Sequence, residues 1–198
     1  AGPIDVGAAS LVPHGLHAAD GTATFYAIGT DARSPRLARI TVPPRGDTRI
    51  EPIALDWPRL DRVLPWVARN EDEFAGATLA LLAEQDGSVR IAAVDWTGAG
   101  AVAGRATLPG SLLAASVSPD GAADPVIDVL VGRDAEIARH RIPLLGLSGE
   151  PTTVPLPALP ADLADPAWAI GTTTSGDPVV LLTAGPDLWV SSDEGWRS

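Results

Sequence analysis

Two kinds of polar turn recur along this chain at nearly the same spacing, and that period constrains the fold more than any other feature. Asp31, Asp86, Asp134 and Asp187 each interrupt a pair of β-rich runs, at intervals of 55, 48 and 53 residues. A second turn precedes each of these pairs: Asp20-Gly21, Asn70-Glu71, Asp120-Gly121 and Ser175-Gly176, at intervals of 50, 50 and 55 residues. Asp, Asn and Gly suit tight turns because they tolerate positive φ and, for Asp and Asn, bond their own backbone. Two independent markers sharing one period imply a repeated supersecondary unit.

The unit reads as strand, turn, strand, turn, strand, then a looser outer strand. Its central segments are residues 22–40, 77–94, 125–142 and 177–190, and the outer-strand candidates are residues 49–56, 101–108 and 152–156. The second strand of each unit is apolar at consecutive positions, as at Leu79, Ala80, Leu81 and Leu82 or at Val179, Val180, Leu181 and Leu182. A strand that is apolar on both faces must be covered on both faces. The third strand alternates, as in Val89, Ile91 and Ala93. Repeated four-stranded units of about 50 residues that cover one another are the pattern of a β-propeller. The expected fold is therefore all-β, a β-propeller of about four four-stranded blades, with repeats near residues 11–57, 58–110, 111–161 and 162–198 of a single domain. Helical readings are weak because 19 prolines and 20 glycines interrupt the chain. The best helix candidate, residues 58–69, contains Pro65.

Three repeats own an outer strand, whereas the fourth reaches Ser198 where its own should begin. Two outcomes are expected from this. Either residues 3–6 pair beside residues 188–191 and close a four-bladed ring, or the chain is part of a larger propeller. An open edge would otherwise leave unpaired amides and carbonyls.

Composition narrows the function classes. The net charge of −11 disfavours nucleic acid and anionic lipid as partners. No apolar run has the length of a membrane span. Cysteine is absent, so thiolate chemistry, disulfides and Cys-based zinc sites are excluded. The sequence starts at Ala1-Gly2-Pro3 without methionine, which suits the mature side of a cleaved leader and an extracytoplasmic location. All the basic residues apart from histidine are arginine, the coding bias of a GC-rich genome such as an actinobacterium's.

Two local motifs carry a family resemblance. Ser118-Pro119-Asp120-Gly121 resembles the turn between the first two blade strands of WD40- and TolB-like bacterial propellers. Leu188-Trp189-Val190-Ser191-Ser192-Asp193-Glu194-Gly195-Trp196 resembles the Asp-box of sialidase-type propellers, with Ser191, Asp193 and Gly195 in place and Trp196 displaced from the usual position. That resemblance implies a structural turn between third and outer strands, with the Asp193 carboxylate capping the turn's own amides.

Candidate chemistry is sparse. Arg141-Ile142-Pro143 echoes the arginine motif of the same family, but it lies in the third repeat, and the only tyrosine, Tyr26, lies in an apolar strand. Arg141 therefore reads as an ordinary third-strand residue. His14, His17 and His140 have no metal-ligand spacing. Asp120, Asp124 and Asp128 straddle one turn and have the oxygen ligands calcium favours, although the solvated turn is the preferred reading. No serine-nucleophile or phosphate-loop motif occurs. Of six tryptophans, Trp168 and Trp189 are expected to pack within strands, while Trp57, Trp66 and Trp96 fall near strand ends and are candidates for a binding surface. These readings point to a non-enzymatic binding or scaffold module that needs no cofactor and takes a protein or carbohydrate partner. The alternatives are a carbohydrate-active enzyme or lectin-like relative of the Asp-box group, and a fragment of a larger propeller.

Overall fold

A computed structural model describes the chain except for residues 1–8, 12–15, 18–19, 30–35, 54–56, 58–59, 71–72, 96–101, 120–123, 135, 146, 148, 160–162, 164, 174–176 and 193–194. All regular structure in the described residues is β, and it forms four antiparallel sheets. The first contains β1 (Ala9–Leu11), β2 (Leu16–His17), β3 (Ala23–Gly29), β4 (Arg36–Val42) and β5 (Arg49–Ile53). Here β1 and β2 pair with successive parts of β3, and together they take the place of one first strand. The second sheet runs through β6 (Arg62–Asn70), β7 (Glu73–Gln85), β8 (Ser88–Asp95) and β9 (Val102–Pro109). The third runs through β10 (Ser111–Val117), β11 (Val126–Arg133), β12 (Glu136–Pro143) and β13 (Thr152–Val154). The fourth contains β14 (Ala167–Thr172), β15 (Pro178–Ala184), β16 (Asp187–Ser192) and β17 (Gly195–Arg197). Each sheet follows up-and-down order.

The sheets stack as blades. Along β7, Leu79, Leu81 and Ala83 join Leu37, Ile53 and Trp57 of the first unit, while Ala80 and Leu82 join Ile127, Val129, Val131 and Ile142 of the third. β8 alternates in the same way, with Ala92 and Val94 on one side and Val89, Ile91 and Ala93 on the other. On β11 the odd positions face the second sheet, while Leu130 meets Val180 on the fourth. The two-faced apolar strands are thus sandwiched, as the period-two geometry of a strand requires. β10 lies against both β6 and β14, so the first strands of successive sheets come together. Among the described residues, no strand of the first sheet pairs with the fourth.

Several expectations change in detail. Residues 58–69, the best helix candidate, contribute β6 instead. Pro65 is tolerated there because β6 pairs only with β7 and is an edge strand. The fourth sheet owns an outer strand after all: β17 pairs with β16 through Val190↔Arg197, Ser191↔Trp196 and Ser192↔Gly195. The edge at Val190 and Ser191 that residues 3–6 were expected to cover is therefore occupied, and residues 3–6 themselves lie outside the described residues. Asp86 and Asp134 take positive φ, 52° and 48°, at the first turn position as expected, whereas Asp31 lies outside the described residues. In the fourth unit that position is Gly185 (φ 59°), and Asp187 is the first strand residue, paired with Ala184.

One glycine fixes how the second and third sheets follow one another. Gly110 joins β9 to β10 with φ 120°, and its N–H donates to Gly87 O at 2.8 Å. A Cβ at Gly110 would sit 2.5 Å from Val131 Cγ1 and 2.6 Å from Gly132 O. At Gly87, φ is 69° but nothing lies within 4 Å. Gly110→Ala should therefore cost more than the roughly 1–2 kcal/mol of left-handed strain that Gly87→Ala incurs. Thermal unfolding of the two variants checks the order, with Gly110→Ala the lower-melting.

Candidate functional site

Charge is rare inside a stack of apolar sheets, and one cluster of it lies between the third and fourth. Asp128 interrupts the apolar run of β11 and is 3% exposed. Arg141 lies opposite it on β12, and Arg139 shares the same face two residues away. That face is opposite to Ile127 and Val129, which cover the second sheet. Arg139 donates from both Nε and Nη2 to Asp128 Oδ1, each at 2.8 Å. Arg141 Nε lies 3.6 Å from the same oxygen, too long for a good hydrogen bond, and is buried without one. One buried carboxylate therefore faces two guanidinium groups. The surplus positive charge lies on Arg141, whose side chain is 40% exposed. Such an arrangement holds a strand pair together, and its outer guanidinium can accept an anion.

The neighbouring His140 contacts Thr153 Oγ1 through Nδ1 at 3.4 Å, and burial holds its pKa below the ordinary histidine value. His17 pairs with Ala23 in the first sheet, and His14 lies outside the described residues. Of the three carboxylates considered for calcium, Asp128 is taken by Arg139, Asp124 is exposed, and Asp120 lies outside the described residues. Among the described residues no three His, Asp or Glu side chains gather as metal ligands. Tyr26 is paired with Arg39 in the first sheet, away from the arginines of the third.

The tryptophans correct the expected binding surface. Trp57 and Trp66 are only 3% and 4% exposed. Trp57 packs between the first and second sheets against Leu79 and Leu81. Trp66 fills the space between the second and third, and its indole N–H donates to Pro119 O at 3.1 Å. Trp57 lies in the connection between β5 and β6 and Trp66 in the middle of β6, where packing between sheets covers both. Trp96 lies outside the described residues. Trp168 packs as expected, edge-on to Trp196 with ring centroids 6.3 Å apart. Trp196 also donates to Pro157 O at 3.3 Å.

The Asp-box-like segment contributes β16 and β17, joined by the pair Ser192↔Gly195, and residues 193–194 lie outside the described residues. Ser191 Oγ accepts from Val180 N–H at 2.8 Å, Ser192 Oγ donates to Gly195 O at 2.8 Å, and Gly195 has φ 123°. In the other motif, Ser118 bonds Val126 at the end of the β10–β11 pair, through Ser118 N–H to Val126 O and Val126 N–H to Ser118 Oγ, both at 2.9 Å. Asp120 and Gly121 lie outside the described residues.

Three polar bonds missed by the sequence reading also join sheets or their entry segments. Asp61 Oδ2 accepts from Glu84 N–H at 2.7 Å, Glu84 Oε2 accepts from Leu112 N–H at 2.9 Å, and Asp61 N–H donates to Leu82 O at 2.9 Å. A spacing signal could not have found them, because they depend on where separate units meet. Comparison of the chain with protein-family models, curated proteins and solved structures gave no match.

Removing one member of the buried ion pair leaves the other charge uncompensated, which costs about 3–5 kcal/mol. Asp128→Ala should destabilise the fold by that amount in urea unfolding. The double variant Asp128→Leu, Arg139→Met should recover most of the loss, because an apolar pair of similar size satisfies the same space.

Proposed function

We propose that this chain is a non-enzymatic binding or scaffold module of propeller type that acts outside the cytoplasm, a relative of the Asp-box or WD40/TolB-like repeat group. The observation that carries the binding role is the outward face of the fourth sheet. Leu181 and Val190 are cross-strand partners on that face, with Val179 and Leu188 at the positions two residues along. Leu188 is 52% exposed and the other three are partly exposed. On β7 the equivalent second-strand leucines are fully buried on both faces because a sheet lies on each side.

The occupant that fits is another four-stranded sheet, and the proposal commits to a second copy of this chain stacked on it. Supporting this choice, the chain already packs sheet on sheet at each internal junction with the same residue types. A lectin-like or carbohydrate-active role draws less support, since Trp57 and Trp66 are buried and cannot stack on a sugar. A larger propeller remains a second reading that the same face favours, with further blades of the same polypeptide as the occupant.

Sedimentation velocity across a range of concentrations tests the proposal. The protein should associate as concentration rises, and Leu188→Arg should shift association to at least about tenfold higher concentration, equal to about 1.4 kcal/mol. A protein that stays monomeric throughout, or a Leu188→Arg variant that associates equally well, overturns the second-copy occupant. A monomer that becomes more stable when expressed with flanking coding sequence supports the larger propeller.

A further inference from the structure

The first sheet ends the stack on its other side, and its outward face repeats a pattern used inside. Phe25 on β3 pairs with Ile40 on β4, and Ile40 pairs with Ile50 on β5. Near the open end of the same hairpin in the second sheet, Leu79 pairs with Val94, and both pack against the first sheet. In the third sheet Ile127 pairs with Ile142, and both pack against the second. Each of these two rows meets the sheet that precedes its own. Phe25 and Ile40 lie on the side of the first sheet away from Leu37 and Ile53, which face the second. They therefore occupy the side on which a preceding sheet would lie. Ile40 is 4% exposed and Ile50 is 47% exposed, so this face opens toward its outer strand. Leu188, at 52%, opens the far face of the fourth sheet in the same way. Among the described residues, the other exposed large hydrophobic side chains, Leu145 and Leu159, lie in connections.

We propose that the second copy stacked on the fourth sheet presents its first sheet. The Phe25, Ile40 and Ile50 face of one copy then lies on the Val179, Leu181, Leu188 and Val190 face of the next. This inference rests on the second-copy reading above and adds which face meets which. The competing arrangement is a two-fold pair with fourth sheet against fourth sheet. No junction inside the chain is made in that sense. At each one, a sheet lays its forward side against the backward side of its successor. β10 lies against both β6 and β14, so the stack also brings first strands together. A head-to-tail copy continues that order by bringing its own first strands, β1 and β2, toward β14. Such a contact is heterologous, so assembly ends only if the copies close into a ring.

Sedimentation velocity of single variants, alone and mixed, decides the sense of the contact. Ile50→Arg should raise the concentration needed for association at least about tenfold, as expected for Leu188→Arg. An equimolar mixture of the two variants should associate near the wild-type concentration and stop at dimers. Ile50→Arg keeps an intact fourth sheet and Leu188→Arg an intact first sheet, so together they can form one junction and no more. Both positions are exposed, so neither melting temperature should move in dilute, unassociated protein. If Ile50→Arg melts lower, Ile50→Gln carries the same test. If wild type associates but Ile50→Arg associates equally well, or the mixture does not recover, the head-to-tail contact is overturned and the second-copy reading stands. A wild type that stays monomeric throughout overturns both.

Discussion

The rest of the structure depends on the burial of strands that are apolar on both faces. β7 carries Leu79 and Leu81 toward one neighbour and Ala80 and Leu82 toward the other, all without measurable exposure. A single sheet cannot satisfy such a strand, and neither can a two-sheet sandwich, because one face would remain wet. At about 1.5–3 kcal/mol for each fully buried large side chain, leaving one face in water would forfeit much of the stability of a small unit. The second strand therefore requires a sheet before and a sheet after its own. β11 repeats the demand with Ile127, Val129 and Val131 on one side and Leu130 on the other.

Apolar burial alone does not fix how far one sheet is displaced or rotated on the next, and the polar and aromatic bonds between units add that specification. Trp66 reaches the turn of the following unit, Glu84 accepts the Leu112 amide of β10, and Trp196 reaches back to the connector before its own unit. Trp57 wedges between the first two sheets. Each junction thus has an indole, and two of those indoles direct their N–H to a backbone carbonyl in a connection. A wide flat side chain with one donor fills the gap between twisted sheets and satisfies a carbonyl that no strand pairs. The Asp128–Arg139 pair is a different device. Its net contribution to stability is small, but it penalises any register that separates the two charges.

The repeat was legible in the sequence because its markers are local. Asp86-Gly87 forms the expected two-residue hairpin turn with positive φ at both positions, and the outer strands Arg49–Ile53, Val102–Pro109 and Thr152–Val154 fall where the candidate segments lay. The misreadings arose where local chemistry is ambiguous. Gly185-Pro186 performs the turn that Asp187 was expected to perform, since glycine adopts the same positive φ as Asp86 and Asp134. The three-residue strand β17 is too short to show alternation. Pro65 looked disruptive because a sequence does not reveal which strand is an edge. The exposure of Trp57 and Trp66 was misjudged for a similar reason. A residue in a connection or on a first strand, as Trp57 and Trp66 are, is open or covered according to how the next unit docks, and no spacing rule encodes that. The candidate site was the least legible part. Asp128 stands out as the one charge in an apolar run, but only the pairing of β11 with β12 brings Arg139 and Arg141 to it.

A stack of this kind also determines where function can reside. Its interior is occupied by sheet-to-sheet packing, and most of the described charged groups that pair at all do so along or between strands. What remains available is the turn tips and the outermost faces, which bear little of the folding load and can change without disturbing the stack. Turns that close a hairpin by backbone geometry, such as Asp86-Gly87, have residues fixed by φ and little freedom to vary. The longer connection from Val42 to Arg49 is different, because its ends are already secured by strand pairing and by Arg39 and Glu51. The outward face of the fourth sheet is subject to the opposite pressure. Its residues are constrained to remain apolar by the same repeat that built the interior, so that face keeps a tendency to accept another sheet whether or not one is present.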